Sequence, residues 1–369
     1  MHKRKIPMRA AALLCAALLL ALAGCSAAND PAADGSGNSP DTGAEYNPEL
    51  QRYNSSFLEL FDTVTTVVGY AESEEAFSAE INEFHDMLEE YHQLYDIYSE
   101  YEGINNIKTI NDNAGGEPVE VDQRIIDLLL FAQDMYARTG GKTNVMMGSV
   151  LRLWHDAREY GINNPEDSYL PDEAELEAAN EHTSIEALVI DDEANTVQIT
   201  DPLASLDVGA VAKGYAVQRV CDEMPSGLLV SVGGNVCATG PRPTDGSDWI
   251  VGVQDPDGGV NDYLLTVNLG TGSIVSSGDY QRYYTVDGVR YSHIIDPATL
   301  FPPTYWRAVS IVCDDSGEGD ALSTALFCMT QEEGQAVLDE FGAKAVWIAQ
   351  DGSLVYSEGF EELINEVVA

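Results

Sequence analysis

Positive charge is what this chain has least of. Across 369 residues, 18 Lys and Arg face 62 Asp and Glu, a formal net charge of −44. Such a surface repels nucleic acid and anionic lipid headgroups, which excludes both as ligands. An anionic substrate would need a locally neutralised site, built from a bound cation or from converging backbone donors. Six cysteines are present, but no CxxC pair, so the spacing favours neither a zinc site nor a dithiol redox motif. Cys221, Cys237, Cys313 and Cys328 stand among apolar neighbours and read as buried free thiols, although export would permit one disulfide. The chain also lacks the Walker GxxxxGK[ST] loop, the dinucleotide GxGxxG turn and any internal repeat.

One long apolar run exists, and it lies at the N-terminus. The basic stretch His2-Lys3-Arg4-Lys5 precedes the apolar segment Ala10–Ala23, and Leu22-Ala23-Gly24-Cys25 has the shape of a bacterial lipobox. The run is short for a membrane span and ends in small residues at a cysteine, which favours a cleaved signal over an anchor helix. Residues 1–24 are therefore expected to be a lipoprotein signal peptide, with Cys25 lipidated. Acyl chains such as palmitate would then hold the protein at the outer face of the cell membrane. Residues 25–50, rich in Ala, Gly, Ser, Asn, Asp and Pro up to about Glu45, form a tether. Residues 51–369 remain, enough for one large domain or two fused lobes, and are taken as one catalytic domain.

Apolar period separates the elements of that domain. Phe61–Tyr70 is β-branched and aromatic, a strand. Phe77, Ile81, Phe84, Leu88, Tyr91, Tyr95 and Tyr98 recur at steps of four and three, one buried face of a long helix. A second helix spans Asp122–Arg138 before Gly140-Gly141, and Pro165–Asn180 is an acidic surface excursion before another helix. Downstream, hairpins are expected over Ala187–Thr200, around Asp287-Gly288 and at Asp351-Gly352. Further strands cover Leu228–Val232, Trp249–Val253, Tyr263–Leu269, Arg307–Cys313 and Ala345–Ala349. Helices cover about Val211–Glu223, Asp320–Met329 and Glu332–Phe341. Strands, hairpins and helices without regular βαβ repetition indicate α+β.

Four short stretches carry chemistry. In Leu206–Val220, LDVGAVAKGYAVQRV, Asp207 ends an apolar run, Gly209 and Gly214 flank a tight turn, and Lys213 brings a cation to a helix start. That arrangement suits phosphate, because unpaired amides and the helix dipole favour anions. Leu229–Asn235, LVSVGGN, ends a strand in a Gly-Gly-Asn turn where a ligand can meet bare backbone. Tyr291–Pro297, YSHIIDP, sets His293 beside Asp296. In Asp320–Met329, Asp320 and Thr324 stand at i and i+4 on what is expected to be the first turn of a helix, oxygen donors for a hard cation. The plain alternatives are that Asp320 is a helix N-cap and that His293 is a structural partner of Asp296.

Together these stretches resemble the FAD:protein FMN transferases, the ApbE-type family. DVGAVAKGYA, SVGGN, SHIIDP and DALSTA stand in that family's order and spacing, over nearly all of the chain from Phe61 onward. The resemblance implies an ApbE-like, tunnelling-fold-like α+β domain of mixed and antiparallel sheets with flanking helices. It also implies a divalent-metal enzyme, using Mg²⁺ or Mn²⁺, that cleaves FAD and moves FMN onto a Thr or Ser hydroxyl of an exported flavoprotein, releasing AMP. The acceptor would carry a DGxTGAT-like sequence, which this chain lacks. Metal ligands would be Asp320, Thr324 and the Ala210 carbonyl, with Ser323 beside them. FAD contacts would include Asp207, Lys213 and His293 or Ile294. The segment Lys142–Trp154 matches the family's GxxDxTVGPLxxLW, so Lys142, Thr143 and Asn144 would line the adenosine or flavin pocket.

The departures are local. The family's Met-Gly-Thr reads Phe61-Asp62-Thr63 here, and its middle Asp is Asn144. The tyrosine that precedes the family's Ser-x-hydrophobic-x-x-x-Asn run corresponds to Tyr98 or Tyr101, and Tyr98 and Phe61 are taken as cofactor contacts. His293, a neutral imidazole near pH 7, is the candidate acceptor of the hydroxyl proton, and Lys213 the candidate stabiliser of phosphate charge. Two other functions fit the same residues. Water could replace the acceptor, making an FAD pyrophosphatase, or the chain could be a passive FAD-binding lipoprotein.

Overall fold

Neighbouring residues along the central strands are buried on opposite faces, so the sheet they build is covered twice. Val67 and Val68, Cys237 and Ala238, Val309 and Ala308, and Trp347 and Val346 each split between two separate apolar clusters. Period-two side-chain geometry gives this result when both faces of a strand are apolar. The computed structural model describes residues 46–259 and 261–368; the expected signal peptide, Cys25 and most of the tether lie outside them.

The chain begins with strands β1 (Gln51–Phe57) and β2 (Thr65–Ala71) and helices α1 (Glu74–Tyr95) and α2 (Ile107–Asp112). Then come β3 (Val119–Glu120), α3 (Gln123–Arg138), α4 (Gly148–Asn163) and α5 (Glu173–Asn180). The hairpin β4 (Leu188–Asp191) and β5 (Thr196–Ile199) leads to α6 (Ala212–Glu223). Five strands follow: β6 (Leu229–Val232), β7 (Asn235–Ala238), β8 (Trp249–Gln254), β9 (Tyr263–Leu269) and β10 (Gly272–Gly278). The hairpin β11 (Tyr283–Val286) and β12 (Val289–Ser292) precedes β13 (Trp306–Cys313), α7 (Ser316–Phe327) and α8 (Gln331–Phe341). Strands β14 (Lys344–Ala349), β15 (Leu354–Tyr356) and β16 (Ile364–Val367) complete the order.

Eight strands form the central sheet in the order β1-β2-β6-β7-β10-β13-β14-β15. One of its faces packs on α1, α3, α6 and α7, the other on the three-stranded sheet β16-β9-β8. A third cluster joins α4 and α5 to the β11–β12 hairpin through Trp154, Tyr284 and Ile295. Every named ladder is antiparallel, and the parallel pairing is the isolated Met147–Ser205 bridge. The expected α+β class is what the chain adopts. Cys221, Cys237, Cys313 and Cys328 are free and buried. Among the described residues, no helix is long and apolar enough to cross a membrane.

Four sequence expectations are corrected by the structure: the strand expected from Phe61 begins only at Thr65, α5 lies inside Pro165–Asn180 rather than after it, and α1 and α7 differ at their ends. The apolar stripe of α1 ends at Tyr95, and Tyr98 lies beyond it, 60% exposed rather than in the core. Asp96 ends the helix because its carboxylate accepts the Tyr98 and Ser99 amides instead. Helix α7 starts at Ser316, four residues earlier than expected, with Asp315 as its N-cap accepting from the Gly317 and Glu318 amides. Asp320 is therefore neither a cap nor in the first turn. The glycines that read as loop are packing residues, since a Cβ on Gly319 would meet Val275 and Cys313, and one on Gly317 would meet Tyr215.

Candidate active site

Helices α6 and α7 come together at the residue the sequence marked as bare. A Cβ at Gly214 would land inside contact distance of the Ser316 carbonyl, the Asp320 Cβ and the Asn235 amide. Only glycine permits that approach. The reward is a shared carboxylate: the Gly214 amide donates to Asp320 Oδ2 at 2.7 Å, and Lys213 Nζ donates to Asp320 Oδ1 at 3.0 Å. Lys213 also donates to Asn235 Oδ1, which comes from the Gly-Gly-Asn turn where Gly233 and Gly234 take φ of +53° and +95°. Asp320 is buried, and the Asn235 Nδ2 beside it is buried without a partner among the described residues.

The other donors expected to hold a cation come from α7 and from the turn that precedes α6. Thr324 lies one helical turn on from Asp320 and is half-buried, while Ala210 sits in the turn just before α6. Carboxylate, hydroxyl and backbone carbonyl are all hard oxygen donors, a set that suits Mg²⁺ or Mn²⁺ rather than a thiophilic metal. Ser323 is engaged elsewhere: its hydroxyl donates to the Asp320 carbonyl at 2.9 Å and pairs with Ser277 Oγ at 2.8 Å.

His293 does not pair with Asp296. Its Nδ1 lies 3.1 Å from the Arg282 carbonyl, so Nδ1 carries the proton and Nε2 keeps its lone pair. Asp296 is instead held by Lys142 Nζ at 2.8 Å, an ion pair between a buried carboxylate and a half-buried ammonium. Burial first, then the Arg282 and Arg158 guanidiniums and Lys213, push His293 down to about 3. The imidazole is neutral at every physiological pH. Asp207 lies in the same field: burial raises its carboxyl above the usual range against the pull of the Gly209 amide, His155, Arg158 and Arg282.

The remaining predicted contacts divide. Tyr98 presents an exposed ring, tilted 5.9 Å from that of His155, whereas Tyr101 is tied inward to Asp96 at 2.9 Å and to His92. Of the two tyrosines, Tyr98 is the one with a free face. Phe61 packs edge-on against His92 at 5.4 Å. Phe61 and Asp62 both take positive φ, 52° and 51°. Thr143 is 1% exposed and donates to the Ala321 carbonyl at 2.8 Å, bracing α7 rather than offering itself to a pocket. Lys142 and Asn144 line a cavity of about 430 Å³ between the end of α3, the end of α5 and Pro297. Ile294 is buried in the main core, leaving only its backbone for a ligand.

Sequence reasoning missed Arg158 and Arg282. Arg158 stands on α4 in a stretch with no motif, and Arg282 precedes β11 as an ordinary exposed cation. The signal was the scarcity of cations itself, because each unpaired one in so acidic a chain needs a reason.

Residues 61–347 match the ApbE family. The FAD:protein FMN transferase of Treponema pallidum is 32% identical over 272 residues, which cover 70% of this chain and 75% of that protein. The FAD:protein FMN transferase of Vibrio cholerae is 30% identical over 253 residues, covering 67% and 73%. Among solved structures, the ApbE protein of Thermotoga maritima aligns with a TM-score of 0.73 at 30% identity, over 86% of this chain and 100% of that one. The flavin transferase ApbE from Vibrio cholerae aligns with a TM-score of 0.70 at 25% identity, over 85% and 99%.

Proposed function

The chain belongs to the ApbE family, and from that premise we propose that it transfers FMN from FAD to a Thr or Ser hydroxyl of an exported flavoprotein, releasing AMP. The observation that carries this reading is the convergence of Lys213, Asp320 and Asn235 beside a neutral His293. In the reaction, the acceptor oxygen bonds to the phosphorus on the riboflavin side, the bridging P–O bond breaks, and AMP takes the bridging oxygen. The hydroxyl proton goes to His293 Nε2, the nitrogen left with a lone pair. With no anion bound, the surrounding cations make that nitrogen a weak base. A diphosphate between them offsets their charge and strengthens the base when substrate is present. Lys213 neutralises phosphate charge and holds Asp320 in place.

Asp320, Thr324 and the Ala210 carbonyl would hold a divalent cation, and the chemistry it supplies when bound is charge neutralisation on the diphosphate. Tyr98 offers a stacking face to the flavin, and Asp207 borders the same space. Lipidation at Cys25 would keep the enzyme on the extracytoplasmic face of the cell membrane, near exported acceptors. A Cys25→Ser chain should then stay unprocessed, and normal maturation of that variant would remove the anchor.

Incubation with FAD, Mg²⁺ and a threonine-bearing DGxTGAT-type peptide tests the function. Flavinylated peptide is the expected product. Free FMN and AMP alone would make the chain a pyrophosphatase, and unchanged FAD would make it a passive binder.

A further inference from the structure

Six of the ten described arginines have a carboxylate within 4.0 Å. Arg52, Arg152, Arg158 and Arg282 do not, in a chain with 62 acidic residues to choose from, and of these four Arg158 and Arg282 act on each other. Arg158 is half-buried on α4, and its guanidinium lies 3.0 Å from His155 Nδ1. Arg282 comes from the loop before β11 and donates to the Asp62 carbonyl at 3.3 Å. The two guanidiniums lie within electrostatic reach of each other and of His293. The half-buried Asp207 carboxylate offsets only one of the two like charges, so the positive charge left beside a half-buried imidazole favours a further anion. Lys213 acts on His293 as well, so His293 is flanked by Lys213 and by the arginine pair.

We propose that Arg158 and Arg282 form a two-guanidinium clamp for a phosphate of the dinucleotide, which distinguishes FAD from flavin lacking phosphate. This inference rests on the proposed function, because the anion must lie where His293 can serve the hydroxyl that attacks it. Paired planar guanidiniums match phosphate oxygens in geometry as well as charge. His155 lies against Arg158 and the Asp62 carbonyl accepts from Arg282, so neither guanidinium is held by a carboxylate. Of the carboxylates within reach, Glu159 is an exposed neighbour on α4, and Asp207 Oδ1 accepts the Gly209 amide at 3.0 Å.

The test measures equilibrium binding of FAD and riboflavin to the full-length chain in detergent, without acceptor peptide, for the parent, Arg158→Gln, Arg282→Gln and Arg158→Lys. Each Gln variant should weaken FAD at least about five-fold and leave riboflavin unchanged, with a shallower salt dependence of FAD binding. Arg158→Lys, which keeps the charge and loses the fork, should fall between parent and Gln. Because Arg282 is exposed, its variant reports on the clamp even if Arg158→Gln folds poorly. A smaller loss of FAD affinity in both Gln variants overturns the clamp, as does parallel loss of FAD and riboflavin. Unchanged FAD binding with a raised KM for the acceptor peptide also overturns it, by assigning the pair to the peptide. If the parent binds FAD in an arginine-dependent way but flavinylates no acceptor, the clamp stands and the transferase reading fails.

Discussion

Lys213 Nζ and the Gly214 amide, adjacent in sequence, each take one oxygen of the Asp320 carboxylate, at 3.0 and 2.7 Å. The start of α6 thus fixes the orientation of a carboxylate on α7. Asp320→Asn keeps a hydrogen-bonding shape but loses the charge. Turnover with FAD should fall by at least about a hundred-fold and no longer respond to Mg²⁺. Stability should fall by about 1–3 kcal/mol, because Lys213 loses its ionic partner. Mg²⁺ titration of activity beside a denaturant midpoint separates the two effects, and parent-like turnover would remove Asp320 from the site.

Asp315 is the contrasting case. As the true N-cap of α7, its replacement by Ala should cost about 1 kcal/mol of stability. The Mg²⁺ concentration for half-maximal turnover should not move, and a large shift would mean that the cap and the metal donors are coupled.

Lys213→Ala should reduce kcat/KM for FAD by about ten-fold or more, equivalent to about 1.4 kcal/mol. A solvated surface lysine would change nothing comparable. Steady-state kinetics with FAD decides between them.

Gly214→Ala tests the close approach of the two helices. The added methyl group meets the Ser316 carbonyl and Asp320, so the helices must separate, at a cost of about 1–3 kcal/mol. Chemical denaturation measures the loss. Full stability would show that α6 and α7 can part without penalty.

The depressed His293 has a signed consequence. In the unfolded chain histidine takes a proton near its ordinary 6.5, while in the folded chain it resists until about 3. The unfolded state therefore binds the extra proton as pH falls, and the stability this group contributes is lost between about 6.5 and 3. Arg282, Arg158 and Lys213 are the charges responsible alongside burial. An NMR titration should find His293 neutral at pH 5, and His293→Gln should flatten the acid limb of the stability profile. A titration midpoint near 6.5 would show that the cations do not reach the ring.

The sequence was most legible where glycine, hairpin or apolar period spoke alone. The Asp287-Gly288 turn and the β4–β5 hairpin stand where expected, because turn chemistry is local. The start of α7 was hidden, since Gly317 and Gly319 look like loop until Val275, Cys313 and Tyr215 are seen to need their missing side chains. Strands β7 and β10 were not expected either, being short or rich in serine and glycine, and they form through their neighbours. Within the site, Lys213, Asp320 and His293 were visible as motif residues. The pairing of Asp296 with Lys142 and the adjacency of Arg158 to Arg282 join elements far apart in sequence, and no local pattern encodes them.

Stoichiometry tests the central claim most directly. With FAD, Mg²⁺ and excess threonine-bearing acceptor, AMP and flavinylated peptide should accumulate in equal amounts, measured by chromatography and mass spectrometry on the same samples. His293→Gln should slow both together. AMP appearing with free FMN and no modified peptide, or FAD surviving intact, would contradict the account.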